Sequence, residues 1–133
     1  MTRPPSTHRG AEPRVPSVEI HRAYEDPPSS GGRVVLVDRL WPRGVSKEKA
    51  WWDEWLKAVA PSTELRRWYG HDVERFEEFV RKYHDELDSP PAAVALEHLE
   101  ELAGAGTLTL VTATHDVEHS AAQVLHDELL TRS

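Results

Sequence analysis

The sequence predicts an α/β fold, a single domain in which helices pack around a small, mainly parallel sheet of three strands. Three observations lead to this fold class. Residues 18–24, 33–40 and 107–112 are short and rich in apolar or β-branched side chains, as strands are. Residues with helical periodicity separate the second stretch from the third, and helical crossovers place such strands parallel to each other. A length of 133 residues suits one domain.

The N-terminal part of the chain contains a tail and the first strand. Residues 1–16 include four prolines and three arginines but little apolar content, so we expect disorder there and a domain over residues 17–131. Residues 18–24 alternate apolar and polar side chains, which predicts a strand with one buried face. A loop rich in Pro, Ser and Gly follows over residues 26–32, and the central strand is expected at 33–40.

Helical segments are expected through most of the remaining chain. Ser46, Ser62 and Asp72 each precede residues with helical spacing and are expected to cap a helix. The pair Pro90-Pro91 is expected to begin another helix, and residues 118–130 are expected to form the last one. In the Ser46 helix, three tryptophans recur at helical spacing and are expected in the core: Trp51, Trp52 and Trp55.

Charge and composition restrict the function. The net charge is −7, but residues 33–67 carry eight basic and five acidic side chains, whereas residues 68–133 carry four and fourteen. The basic segment favours a local anion site. DNA is not an expected partner, because DNA affinity depends on neutralising many phosphates. The absence of cysteine excludes disulfides and thiolate chemistry. Without a signal peptide or an apolar stretch of about 20 residues, we expect a cytoplasmic protein that does not bind membranes.

The most specific local pattern is an apolar strand that ends abruptly in charge, at residues 35–44 (VLVDRLWPRG). Ligands of parallel sheets bind outside the carboxyl ends of the strands, where this pattern would lie. Arg39 or Arg43 is suited to bidentate contact with a phosphate or carboxylate. Asp38 would then orient the arginines, and Trp41 would pack on the ligand. The alternative is that Asp38 and one arginine form an internal ion pair.

Two histidines, His71 and His119, are candidates for proton transfer if the chain catalyses a reaction, which the sequence leaves open. A metal site formed by His71, His115 and His119 is an alternative. The His-Glu-x-x-His order of zinc proteases is absent, as are the glycine-rich phosphate loops. No cofactor is therefore predicted.

Several short motifs, in order along the chain, resemble the YeaO-like branch of the bacterial DUF488 family. They lie at residues 37–44, 60–62, 65–71 and 79–87, and the similarity extends over about residues 17–130. The resemblance implies a small bacterial protein and brings no activity with it. It also implies a functional role for eight motif residues: Asp38, Arg39, Trp41, Arg43, Ser62, Arg66, His71 and His119.

We therefore predict that a small anionic ligand, a nucleotide or a phosphorylated metabolite, binds at a basic and aromatic rim. Arg39, Arg43 and Arg66 would hold the anion, and Trp41 would pack on its apolar part. Two alternatives stay open: a transcription-associated or protein-interaction module without catalysis, and a His-based metal site. No feature of the sequence indicates the oligomeric state.

Overall fold

The computed structural model describes residues 17–28 and 31–132. In this part of the chain, four parallel strands form one sheet. The α/β class, the parallel sheet and the single domain are confirmed, with four strands where three were expected. The predicted disordered tail lies outside the described residues. The strands are β1 (Val18–Arg22), β2 (Arg33–Leu36), β3 (Glu54–Trp55) and β4 (Leu108–Thr112). Across the sheet they lie in the order β1-β4-β2-β3.

The described residues also form four α-helices: α1 (Thr63–Tyr69), α2 (Phe76–Leu87), α3 (Ala92–Ala105) and α4 (Ala121–Thr131). Ser62 caps α1 as predicted, since its Oγ accepts a hydrogen bond from the backbone N–H of Leu65. Asp72 caps the short 3₁₀ turn Val73–Arg75, which leads into α2. None of these helices is long and apolar enough to cross a membrane.

The helix predicted after Ser46 is wrong. Ser46 begins a turn in which its backbone oxygen accepts hydrogen bonds from the N–H groups of Lys49 and Ala50, both at 3.1 Å. Residues 51–53 are irregular, and the next two residues form β3, which pairs with β2 at the edge of the sheet. The spacing of the tryptophans fits a helix, but their packing against the sheet decides the conformation of this segment.

The two faces of the sheet are covered by different parts of the chain. One face, called here the helix face, carries Val35 and Leu110 and packs against all four helices. The other, called the tryptophan face, carries Leu36 and Val111. Side chains alternate along a strand, so neighbouring residues point into different layers. Residues 41–55 cover the tryptophan face with four indole rings: Trp41, Trp51, Trp52 and Trp55.

A close backbone approach positions β2 beside β4. The N–H of Arg33 donates to the carbonyl oxygen of Thr107 at 3.0 Å. Gly32 has a φ of +81°, and a Cβ added there would lie 2.2 Å from that same oxygen. Only glycine fits this position, both for its conformation and for space. The parallel pairing of β2 and β4 then brings the segments that follow them to one carboxyl edge of the sheet.

Candidate functional site

At the carboxyl edge of the sheet, Asp38 joins the segment after β2 to the segment after β4. The hydroxyl of Thr112 donates to Asp38 Oδ1, and the N–H of Ala113 donates to Asp38 Oδ2, each at 2.8 Å. The N–H of Thr114 donates in turn to Thr112 Oγ1 at 3.2 Å. The Asp38 carboxylate therefore ties the ends of the two central strands together.

The environment of Asp38 changes its acidity. Burial raises the pKa of the Asp38 carboxyl group above its ordinary value. The N–H of Ala113, the hydroxyl of Thr112 and the charge of Arg66 favour the ionised form and offset part of this rise in pKa. No basic nitrogen of the described residues lies within 4.0 Å of the carboxylate. Arg66, exposed on α1, thus acts on Asp38 through space rather than as an ion-pair partner.

The Arg39 side chain binds a different part of the chain from the one that Asp38 binds. Its Nε donates to the carbonyl oxygen of Pro61 at 2.8 Å, and its Nη2 donates to the carbonyl oxygen of Ala60 at 3.2 Å. These two bonds fix the guanidinium group against the segment that precedes α1. Within the described chain, Nη1 makes no hydrogen bond, so its donors are not used by the residues that hold the guanidinium group.

Arg39 and Ser62 line a cavity of about 240 Å³. Glu86 of α2 lines it as well and binds Ser62 twice: Glu86 Oε1 accepts from the Ser62 N–H at 2.8 Å, and Oε2 accepts from the Ser62 hydroxyl at 2.6 Å. The cavity is therefore lined by one arginine and one glutamate residue. Its other lining residues are small or apolar: Ala58, Ser89, Pro90, Pro91 and Ala92.

Trp41 and Arg43 do not line this cavity. Trp41 packs on the tryptophan face, with its ring centroid 5.2 Å from that of Trp52, and its indole N–H donates to the carbonyl oxygen of Val45. Arg43 is exposed, and its backbone carbonyl accepts a hydrogen bond from the Tyr24 hydroxyl at 3.0 Å. In the described residues, the Arg43 guanidinium has no hydrogen-bond or ion-pair partner. The structure thus separates these two residues of the predicted rim from Arg39.

The two candidate histidines lie around the same pair of aromatic rings. His71 is exposed and has a φ of 60°, and its ring centroid lies 6.1 Å from that of Tyr69. His119 places its ring 5.2 Å from that of Phe76, and its Nδ1 lies 2.9 Å from Asp116 Oδ2. The ring centroids of Tyr69 and Phe76 lie 6.1 Å apart. This cluster includes no residue of the Arg39 cavity.

A metal site finds no support in this arrangement. Among residues 17–28 and 31–132, no group of three or more His, Cys, Asp or Glu side chains is placed to hold a metal ion. His119 instead uses its Nδ1 on the neighbouring Asp116.

Two residues that shape these sites, Glu86 and Thr112, were not among the predicted binding residues. Glu86 lies 24 residues from Ser62, and Thr112 lies 74 residues from Asp38. Glu86 lies beside the apolar stripe of a helix, where a glutamate is common. Thr112 is one of several threonines in and around a strand. Glu86 falls within the family motif at residues 79–87, which was the available signal.

Comparison with known proteins decides the family of the chain. A family model described as "Inactive DUF488-N3 subclade" matches residues 17–133. The chain belongs to the DUF488 family. The predicted resemblance is thereby confirmed, and its YeaO-like character is supported by the relatives of this DUF488 protein.

Three bacterial relatives illustrate the similarity. The uncharacterised protein YeaO of Escherichia coli (strain K12) is 34% identical over 113 residues, which cover 85% of this chain and 96% of YeaO. Uncharacterised proteins of Mycobacterium tuberculosis (strain H37Rv) and Mycobacterium bovis are each 46% identical over 112 residues, which cover 84% of this chain and 92% of each relative. No solved structure shows a significant match to this DUF488 chain.

Proposed function

We propose that this DUF488 protein binds a small anionic metabolite in the Arg39 cavity and does not catalyse a reaction there. The observation that carries the proposal is the guanidinium group of Arg39, which the carbonyl groups of Ala60 and Pro61 hold in place, while Nη1 has no hydrogen-bond partner in the part of the chain that the structure describes. A cation fixed before binding loses little conformational freedom when the ligand arrives. The cytoplasmic location expected from the sequence is part of the same proposal.

The size and charge of the cavity favour one class of ligand. Its volume of about 240 Å³ is below the range of roughly 300–1,000 Å³ that holds drug-sized molecules. A phosphate or carboxylate group fits inside, whereas the base of a nucleotide would remain outside. Glu86 repels a bare dianion but accepts hydrogen bonds from hydroxyl groups. A phosphorylated metabolite that carries hydroxyl groups therefore suits Arg39 and Glu86 together.

The family description favours the absence of catalysis, since it calls the subclade inactive. Proton transfer by His71 or His119 stays a prediction, as does a protein-interaction role. Neither histidine lines the cavity, so their replacement is not expected to change ligand affinity.

The direct test is a thermal-shift screen of sugar phosphates, nucleotides, inorganic phosphate and small carboxylates. A ligand that binds the native state stabilises it by about 2.7 kcal/mol at a concentration one hundred times its Kd. We expect sugar phosphates to raise the melting temperature and Arg39→Gln to abolish this rise. Arg43→Gln removes an equal charge outside the cavity and serves as the matched control.

Two results would contradict the proposal. One is a ligand whose stabilisation survives Arg39→Gln but disappears in Arg43→Gln, which would place the anion at the exposed arginine. The other is the absence of any melting-temperature change at millimolar concentrations of the whole panel, which would favour the protein-interaction alternative.

A further inference from the structure

A second group of hydrogen-bond donors lies at the carboxyl end of β4, away from the Arg39 cavity. The hydroxyl of Thr112 and the N–H of Ala113 converge on one carboxylate at 2.8 Å each, and the N–H of Thr114 supports the Thr112 hydroxyl. Arg66 adds positive charge through space. Converging donors just beyond the end of a parallel strand can hold a carboxylate group, and their hydrogen bonds offset part of the burial that raises the pKa of Asp38.

In this chain the negatively charged group is the chain's own side chain. Asp38 is only two residues beyond β2, and its two oxygens each face one donor. An external anion cannot reach these donors while the Asp38 carboxylate is bound to them. At the end of β4, a position where parallel α/β proteins bind their ligands is thus occupied by a side chain of the same chain.

We propose that the end of β4 is an anion site of this protein, that Asp38 occupies it as an internal ligand, and that small carboxylates are the external ligands it accepts when Asp38 is shortened. The choice of carboxylates as ligands follows from the geometry. Two donors face the two oxygens of one planar group, and Asp38 is partly buried. A doubly charged phosphate would lose more hydration there than two donors restore.

Two variants leave vacancies of known size. Asp38→Ala removes a carboxylate group, which is the size of formate, whereas Asp38→Gly also removes the methylene group and leaves space for acetate. We expect formate to stabilise Asp38→Ala, and acetate to stabilise Asp38→Gly more than it stabilises Asp38→Ala. The natural chain should show no stabilisation by either salt beyond that by chloride.

The experiment measures thermal unfolding of the three proteins in sodium formate, acetate and chloride at equal ionic strength. The expected result is a saturable rise in the melting temperature of Asp38→Ala by about 3 °C in formate over chloride. The backbone amide resonance of Ala113 should shift in the same titration. Adding Thr112→Val to Asp38→Ala removes one donor and should weaken both effects.

Equal stabilisation of the natural chain and of Asp38→Ala by formate would overturn the proposal, because the effect would then be one of the salt on all surfaces. If Asp38→Ala is unfolded in chloride, the recovery of its helical circular-dichroism signal in formate supports the proposal, and its failure to recover overturns it. Neither result depends on ligand binding in the Arg39 cavity, since the two sites have no residue in common.

Discussion

Asp38 and Arg39 are adjacent in the chain and both charged, yet the structure gives them opposite situations. Each oxygen of Asp38 accepts a hydrogen bond at 2.8 Å, from Thr112 and Ala113, and the carboxylate is partly buried. Arg39 binds the carbonyl groups of Ala60 and Pro61 instead and lines a cavity, and among the described residues its Nη1 has no hydrogen-bond partner. The position of the Asp38 carboxylate at the end of β4 is called here the closed site, and the Arg39 cavity is called the open site.

The difference shows why a sequence motif does not by itself define a binding site. In residues 37–44 the charges of Asp38, Arg39 and Arg43 suggest one basic rim around one ligand. The fold distributes them over the end of β4, the cavity at α1, and an exposed position. The chain bends at residues 39 and 40, so side chains that are close in sequence reach different parts of the fold.

The largest expected effect comes from emptying the closed site. Asp38→Ala leaves the Thr112 hydroxyl and the Ala113 N–H without their partner, and each unsatisfied buried group costs about 1–3 kcal/mol. We expect a loss of about 2–4 kcal/mol in the free energy of unfolding, measured by urea denaturation. Asp38→Asn keeps a carbonyl oxygen for Ala113 and should lose clearly less. Equal losses in the two variants would show that the donors do not depend on this side chain.

A smaller effect is expected at the open site. Arg39→Lys keeps the charge but replaces a planar group with one that cannot reach the carbonyl groups of Pro61 and Ala60 in the same geometry. The free energy of unfolding should fall by about 1–2 kcal/mol. The affinity for a bound sugar phosphate, measured by calorimetry, should fall about tenfold, which corresponds to 1.4 kcal/mol. Unchanged affinity would mean that Arg39 supplies charge alone and that its fixed orientation is unimportant.

Glu86 provides a finer test of the open site. Glu86→Gln keeps an oxygen that can accept from the Ser62 N–H but removes the negative charge from the cavity. We expect a cost of about 1 kcal/mol in stability, and tighter binding of inorganic phosphate relative to sugar phosphates. Asp85→Asn removes the same charge from the adjacent, exposed position of α2 and is the matched control. Tighter phosphate binding in both variants would indicate a general charge effect.

The fold class was predictable, because the strand-like stretches around Val35 and Leu110 and the cap at Ser62 depend on local patterns that tertiary contacts reinforce. The segment with Trp51 and Trp52 was not predictable in this way. Its tryptophans recur at a spacing that suits a helix, while their burial on the tryptophan face favours an extended chain ending in β3.

The candidate site was predictable only in part, for a related reason. Arg39 and Ser62 were selected as binding residues, and the structure places both in one cavity. The carboxylate that completes that cavity, Glu86, comes from another helix, and the donors that engage Asp38 come from the far strand β4. Such partners are brought together by the topology of the sheet and helices, which local periodicity does not encode.

The smallest expected effect concerns the dependence of stability on pH at the closed site. The pKa of Asp38 is raised in the folded state, chiefly by burial, so the folded protein holds this proton more tightly than the unfolded chain does. The stabilisation from the protonated Asp38 is complete below the pKa of the unfolded chain, and is lost as pH rises through the folded-state pKa. The free energy of unfolding of the natural chain relative to Asp38→Asn should therefore increase from neutral pH to about pH 4.

Urea denaturation of the natural chain and Asp38→Asn at matched pH values measures this difference, and the subtraction removes every titration that the two proteins share. Arg66→Gln should enlarge the acid-side increase, because the charge of Arg66 lowers the pKa of Asp38 and offsets part of the effect of burial. A difference that decreases on acidification would mean that the hydrogen bonds from Thr112 and Ala113 outweigh burial. Asp38 would then be a stabilised anion at the end of β4, in contrast to Arg39, whose cation is held by neutral carbonyl groups.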